Sequence, residues 1–341
     1  MELNTQILTS INTSPELIVL IAGFEKRCLS ILRYINGINL RNSHIILLVY
    51  IKQEDMEVNL ANEDSEKVII SFLKNRKLNF ETIPLDHLNP LRTIVDLKNY
   101  ISRNKLDPSK EIIIDISSAK DSLITLLTIQ LLKNKFQHIK FIYTMPKSYN
   151  LVEIAKKFKD LDKFTQEIIN KRFQRISKFI KVAPFKGFEG IPDPTIPSRF
   201  IFLVGLDVNK VLVVCREFED SWVTTKKILV GSSAFVDNSE IRDFTREIHS
   251  RLTKRYEMDY SLIENHNLQE IISSLNKIIN PFLNKENIIL CCFGTKIQML
   301  ACTLFSYMNP RITLLKVQMK QYRPKYFSKG IGKSLIIDIS T

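Results

Sequence analysis

Ile288-Ile289-Leu290-Cys291-Cys292-Phe293-Gly294-Thr295-Lys296-Ile297-Gln298-Met299-Leu300 is the stretch from which the fold reads most directly. Its apolar run up to Gly294 has the continuous hydrophobicity of a strand buried on both faces, and residues at helical spacing follow from about Thr295. A strand that enters a helix through so short a turn is the elementary step of a parallel sheet covered by helices. The step recurs along the chain. Apolar runs at 17–24, 45–50, 80–85, 112–116 and 139–143 alternate with amphipathic stretches at 64–74, 91–103 and 119–133. A second series has strands at 199–205, 227–230, 256–263, 288–292 and 312–317, with helices at 239–254, 268–283 and 295–307.

Matching strands of the two series are offset by roughly 173–182 residues. Local text follows the same offset. Leu85-Asp86-His87-Leu88-Asn89 is echoed by Ile263-Glu264-Asn265-His266-Asn267, Ser118-Ala119-Lys120 by Gly294-Thr295-Lys296, and Pro146-Lys147 by Pro324-Lys325. Such self-similarity predicts an internal duplication. The fold class expected is α/β, two tandem Rossmann-like parallel-sheet units, the first at 1–150 and the second at 199–341. Residues 151–198 join them. Their first part, 151–186, holds ten basic and four acidic residues and an apolar stripe through Ile154, Phe158, Leu161, Ile168, Phe173, Ile176 and Ile180, which reads as a basic linker helix. A Pro/Gly stretch with Pro184, Pro192, Pro194 and Pro197 then reads as a stiff connector.

The chain has 341 residues, 45% hydrophobic and 25% charged, with a formal net charge of +13, so it is long enough for two packed cores. Only 9 of its residues are glycine, which argues against a glycine-rich dinucleotide fingerprint. No apolar run reaches the roughly 18 residues of a membrane span, and the first residues lack a secretory pattern. The five cysteines, Cys28, Cys215, Cys291, Cys292 and Cys302, have no Cys-x-x-Cys spacing, which predicts small core residues in a reducing cytoplasm rather than disulfides or zinc ligands. His44, His87, His138, His249 and His266 are scattered without ligand spacing. No metal, no cofactor and no membrane partner are expected.

In an open parallel sheet, ligands bind beyond the carboxyl ends of the strands near the switch in strand order, where helix N-termini suit phosphate. Three segments fall there. Gly294 permits close backbone approach, Thr295 offers a cap or a hydroxyl, and Lys296 supplies a point charge. Ser117, Ser118 and Lys120 follow Asp115 at the counterpart turn. Gly23 precedes Lys26 and Arg27 at the end of the first strand. Residues 316–333 add six basic residues and no acidic one, interleaved with Tyr322, Tyr326 and Phe327, a composition suited to bases and phosphates, with Lys325 and Tyr326 placed to cover a ligand.

Two Rossmann-like units with Gly294-Thr295-Lys296 and nearby Met299 resemble the CRISPR-associated Rossmann-fold (CARF) family and its SAVED relatives. The family's common text is Gly-Thr-Lys, one variable residue, then Met; here Ile297 and Gln298 intervene, and the first unit has Ser-Ala-Lys. The resemblance implies recognition of a phosphorylated nucleotide, a cyclic oligonucleotide second messenger such as a cyclic oligoadenylate, at the junction of the two units, in anti-phage or CRISPR-linked signalling. Family members usually carry an effector domain, and here the output is expected to pass to a separate effector protein. Two other readings use the same residues: a ring nuclease or other phosphodiesterase, and a nucleic-acid-binding subunit of a defence complex that uses Lys171, Arg172, Arg175 and the basic C-terminal segment.

Overall fold

The computed structural model describes residues 1–23, 25–36, 40, 42–51, 56–86, 89–149, 179–205, 208–218, 225–232, 239–263, 267–319 and 328–341. The chain forms two compact units, Met1–Lys157 with Gln321–Thr341, and Phe158–Lys320.

In the first unit the elements are β1 (Glu2–Ile7), β2 (Leu17–Ala22), α1 (Ile31–Ile35), β3 (His44–Tyr50), α2 (Met56–Asn75), β4 (Glu81–Leu85), α3 (Pro90–Arg103), β5 (Glu111–Asp115), α4 (Asp121–Lys133), β6 (His138–Thr144) and β7 (Ser148–Tyr149). Every residue of β2 is buried, as expected of the central strand of a sheet covered on both faces. α3 shows how a helix covers it. Pro90 opens the helix, where its missing N–H costs nothing, and Ile94, Leu97 and Ile101 repeat at helical spacing on the buried side.

In the second unit they are β8 (Phe179–Pro184), β9 (Ser198–Val204), α5 (Asn209–Glu217), β10 (Lys226–Ser232), α6 (Ser239–Tyr256), β11 (Asp259–Ile263), α7 (Leu268–Ile279), β12 (Asn287–Phe293), α8 (Lys296–Met308) and β13 (Thr313–Met319). The chain then returns to the first unit as β14 (Ser328–Lys329) and β15 (Ser334–Ser340).

The seven-stranded sheet runs β1-β15-β6-β5-β2-β3-β4, and the six-stranded one β11-β10-β9-β12-β13-β8. In chain order, β2 to β6 and β9 to β13 both stand as 3-2-1-4-5, all parallel. The register extends the likeness. Val19 lies beside Ile114 in one sheet and Ile201 beside Leu290 in the other, so, counting on equally, Gly23 corresponds to Gly205, Ser118 to Gly294 and Lys120 to Lys296. The two sheets are duplicates of one Rossmann-like α/β design.

Each fifth strand carries an antiparallel neighbour, β15 on β6 and β8 on β13. These neighbours are exchanged. β8 follows the first unit in sequence and joins the second sheet, whereas β15 follows the second unit and joins the first. This corrects the boundaries 1–150 and 199–341, since 334–340 belong to the first sheet and 179–184 to the second. An edge strand's apolar residues do not say which sheet they complete. The linker helix read over 151–186 is likewise cut short, because its last residues are β8; Lys171, Arg172, Arg175 and the rest of 150–178 lie outside the described residues.

The Pro/Gly stretch is more than a spacer. Phe185 and Phe188 are buried, and the Phe185 N–H donates to Leu314 O at 2.8 Å while the Leu314 N–H donates to Phe188 O at 3.0 Å. Gly190 has φ +69°, and a Cβ there would lie 2.4 Å from Thr313 Oγ1, so only glycine fits. All five cysteines are free and buried. Among the described residues, no helix is long and apolar enough to cross a membrane.

Candidate functional site

Both switch points lie where the first and fourth parallel strands of a unit diverge, β2 and β5 in the first and β9 and β12 in the second. They are built alike and filled differently.

In the first unit, a Cβ on Gly23 would come within 2.5 Å of the Ser118 Cβ, so the missing side chain lets the two turns touch. The site is then closed by its own polar groups. Asp115 Oδ1 accepts from the Ser117 N–H at 2.9 Å, and Ser117 Oγ accepts from the Thr144 N–H at 2.8 Å. Ser118 Oγ donates to Glu25 O at 3.2 Å, and the Tyr50 hydroxyl donates to Ser118 O at 3.2 Å. Arg27 pairs with Glu25 and donates to Thr144 O at 2.8 Å, while Ser30 and Ser334 both hydrogen-bond the Thr144 hydroxyl. Cys28 packs into the same cluster, and burial pushes its thiol up. Ser117 has no exposed surface and Ser118 almost none. Lys120 is the N-cap of α4, with its Nζ 5.3 Å from the Tyr50 ring centroid.

The second unit is more open. Gly205 and Gly294 meet backbone to backbone: a Cβ on Gly205 would be 3.5 Å from Gly294 Cα, and the Gly205 N–H donates to Phe293 O at 3.3 Å. Gly294, Thr295 and Lys296 are all half-buried. Thr295 caps α8 through a capping box, with its N–H donating to Gln298 Oε1 at 2.7 Å and its Oγ1 accepting from the Gln298 N–H at 3.4 Å. Gln298 is therefore wholly buried, folded over Gly294, and this is why a Cβ on Gly294 would sit 1.8 Å from its oxygen. The Thr295 hydroxyl oxygen is the acceptor inside the box. Two helix N-termini, those of α5 and α8, converge here with two lysines in their first turns, Lys210 and Lys296. Lys210 Nζ stands 5.8 Å from the Phe293 ring centroid.

His249 of α6 completes this end of the sheet. Its Nε2 is 2.9 Å from Gly205 O, so that nitrogen carries the proton, and the ring is 1% exposed. Gly231 makes room for it, since a Cβ there would lie 2.7 Å from His249 Nδ1 and 2.4 Å from the Tyr260 hydroxyl. Burial holds the imidazole below its ordinary pKa, partly offset by the bond to Gly205.

Of the residues singled out from sequence, Gly294, Thr295 and Lys296 come together at one turn, and Gly23, Ser117, Ser118 and Lys120 at the other. Lys325 and Tyr326 lie outside the described residues. Lys210 and His249 were not singled out: neither carries a motif, and only the register of β9 against β12 brings them to Gly294. An open cleft of about 550 Å³ lies elsewhere, between α2 and the β3–β4 edge, lined by Tyr50, Glu63, Glu66, Lys67 and apolar neighbours. None of the singled-out residues lines it. Among the described residues, no group of three or more His, Cys, Asp or Glu side chains could hold a metal ion.

No family model matches the chain, and no curated protein matches it. Among solved structures it is similar to a universal stress protein of Pseudomonas aeruginosa UCBPP-PA14, at 10% identity and TM-score 0.26 over 90% of this chain and 94% of that one. It is similar to a universal stress protein of Archaeoglobus fulgidus at 10% identity and TM-score 0.24, covering 88% and 94%. A UDP-forming α,α-trehalose-phosphate synthase of Burkholderia xenovorans follows at 10% identity and TM-score 0.23, covering 82% and 69%.

Proposed function

We propose that this protein binds a phosphorylated nucleotide, of the cyclic oligonucleotide class, at the carboxyl edge of its second sheet. The observation that carries the reading is the convergence of the α5 and α8 N-termini, each with a first-turn lysine, on the Gly205–Gly294 contact. Helix N-termini concentrate N–H donors and partial positive charge, which suits a phosphate. Lys296 and Lys210 supply compact charges, and the Thr295 hydroxyl supplies a donor. The equivalent turn of the first unit, with Ser117 and Ser118 engaged by Thr144 and Glu25, contributes less, and Lys120 is its weaker cation. The signalling role and the separate effector protein belong to the same proposal and come with the resemblance of Gly294-Thr295-Lys296.

Calorimetric titration with cyclic oligoadenylates and linear dinucleotides tests it. Lys296→Ala should weaken binding about 10- to 100-fold, the worth of a hydrogen bond to a charged group. Lys210→Ala should weaken it by a similar factor and Lys120→Ala by less. Thermal melts should stay near the wild-type value, because a half-exposed lysine holds little of the core. Unchanged affinity in Lys296→Ala, with an unchanged melt, would remove the reading.

A further inference from the structure

Three helices of the first unit end in the same way. α2, α3 and α4 each close with two crossed backbone bonds. Lys77 N–H donates to Lys74 O and Leu78 N–H to Leu73 O; Lys105 N–H donates to Ser102 O and Leu106 N–H to Ile101 O; Lys135 N–H donates to Leu132 O and Phe136 N–H to Leu131 O. This is the Schellman pattern, with an apolar residue turned inward directly after the cap. Its cap residue must take the left-handed conformation, and here φ is 54° at Lys77, 51° at Lys105 and 59° at Lys135. Glycine or asparagine normally stands there, because a Cβ is crowded. Lysine stands at all three.

The duplicate unit is an internal control. α6 ends with the outer of these two bonds, Met258 N–H donating to Thr253 O, and its cap is Glu257 at φ 50°. The fold therefore does not call for a cation at this position. A basic residue placed three times in a disfavoured conformation needs another reason.

Each of these helices runs back from the carboxyl edge, so the three caps stand at the amino edge of the sheet, immediately before β4, β5 and β6. Lys74, Lys77, Lys105, Lys133 and Lys135 are all exposed. Four carboxylates of this edge are occupied: Glu16 pairs with Lys110 at 3.3 Å, Glu81 with Arg103 at 2.5 Å, Glu111 with Lys140, and Asp107 accepts from Ser109. None of them pairs with the five exposed lysines among the described residues.

We propose that the amino edge of the first unit is a docking face for the phosphate backbone of duplex nucleic acid. Leu78 is half-buried and Leu106 and Phe136 are buried, so these turns offer no exposed aromatic on which unpaired bases would stack, and no exposed apolar side chain to enter a membrane. What they offer is exposed lysines on rigid helix caps at one edge of the sheet, a sequence-independent positive charge for phosphates. The face belongs to the first unit and the nucleotide site to the second, and the two share no residue.

The full-length protein is titrated into labelled DNA and RNA duplexes of about 20 base pairs and followed by fluorescence anisotropy at several salt concentrations. The key variant is Lys77→Gly with Lys105→Gly and Lys135→Gly. Glycine suits all three backbones, so its melting temperature should equal or exceed that of the wild type. Its duplex affinity should fall at least about tenfold, and the slope of log K against log salt should lose about 0.9 for each phosphate contact removed. Lys74→Glu with Lys133→Glu should act in the same direction, and Glu257→Gly should leave duplex binding unchanged. Wild-type affinity and slope in the triple glycine variant would overturn the proposal. So would a wild-type protein that binds phosphatidylserine vesicles and neither duplex.

Discussion

The imidazole of His249 donates through Nε2 to the carbonyl oxygen of Gly205 at 2.9 Å, and the Gly205 N–H donates to Phe293 O. The backbone at the end of β9 is thus held from both sides, directly against Gly294. Among the described residues His249 Nδ1 is buried without a hydrogen-bond partner, so the neutral ring is the form that fits.

Acid should loosen this tie. Burial keeps His249 below its ordinary value of 6.5, so the unfolded chain takes up a proton near that pH while the folded chain does not. The stability is whole above about pH 6.5 and is lost as pH falls through it toward the folded value. Denaturant melts between pH 8 and pH 5 should show the decline, and His249→Gln, whose amide can keep the bond to Gly205, should flatten it. An equal slope in the variant would sink the assignment.

Gly294→Ala should destabilise the second unit by roughly 1–2 kcal/mol, the worth of a lost cap. The new methyl would meet Gln298 Oε1 and break the capping box. Gln298→Ala should cost a similar amount, and the double variant little more, because both remove one interaction. Additive losses in thermal melts would show that Gly294 is required for something other than the box.

Much of the fold was legible. Continuous apolar runs such as 17–22 and 288–293 could only be strands buried on both faces, and the strand–helix order implied parallel sheets. β1 was missed because Glu2–Ile7 is a polar edge strand, none of whose six residues is buried. β8 was missed because Ile180 fits the helical stripe that precedes it. At the site, Lys296 was visible as part of a motif at a strand end, whereas His249 and Lys210 become neighbours of Gly294 only through long-range strand pairing. The closing of Ser117 by Thr144 depends on β6 lying beside β5, which no local pattern states.

The exchanged strand makes the C-terminus structural for the first unit. Leu335, Ile337 and Ile339 are buried against β6 and β1, and each is worth about 1.5–3 kcal/mol. Deleting 334–341 should therefore remove about 5–9 kcal/mol, comparable to a whole domain's stability. Ile337→Ala, at about 2–5 kcal/mol, is the milder test. Hydrogen exchange should quicken at the amides of β6 and β1, far away in sequence, and unchanged rates there would contradict the exchange.

Arg199 and Glu286 give the last prediction. Arg199 Nε and Nη2 donate to the two Glu286 oxygens at 2.6 and 3.0 Å, both side chains are buried, and the guanidinium lies 3.7 Å from the Phe282 ring centroid. Lys226 reaches the same carboxylate at 3.3 Å. Hydrogen bonds from Arg199 above all, with its charge and that of Lys226, hold Glu286 below its ordinary value of 4.5. A carboxylate with a lowered pKa stabilises the fold above its unfolded value and loses that contribution as pH falls through the folded one. Glu286→Gln should cost about 3–5 kcal/mol at pH 7, since it leaves a buried guanidinium without its anion. Arg199→Met with Glu286→Leu should cost much less, because no charge is then left buried. The two curves should differ in shape as well: between pH 5 and pH 3 the wild type should lose stability faster than the double variant. Parallel acid melts for the two proteins would show that the pair contributes nothing to acid sensitivity.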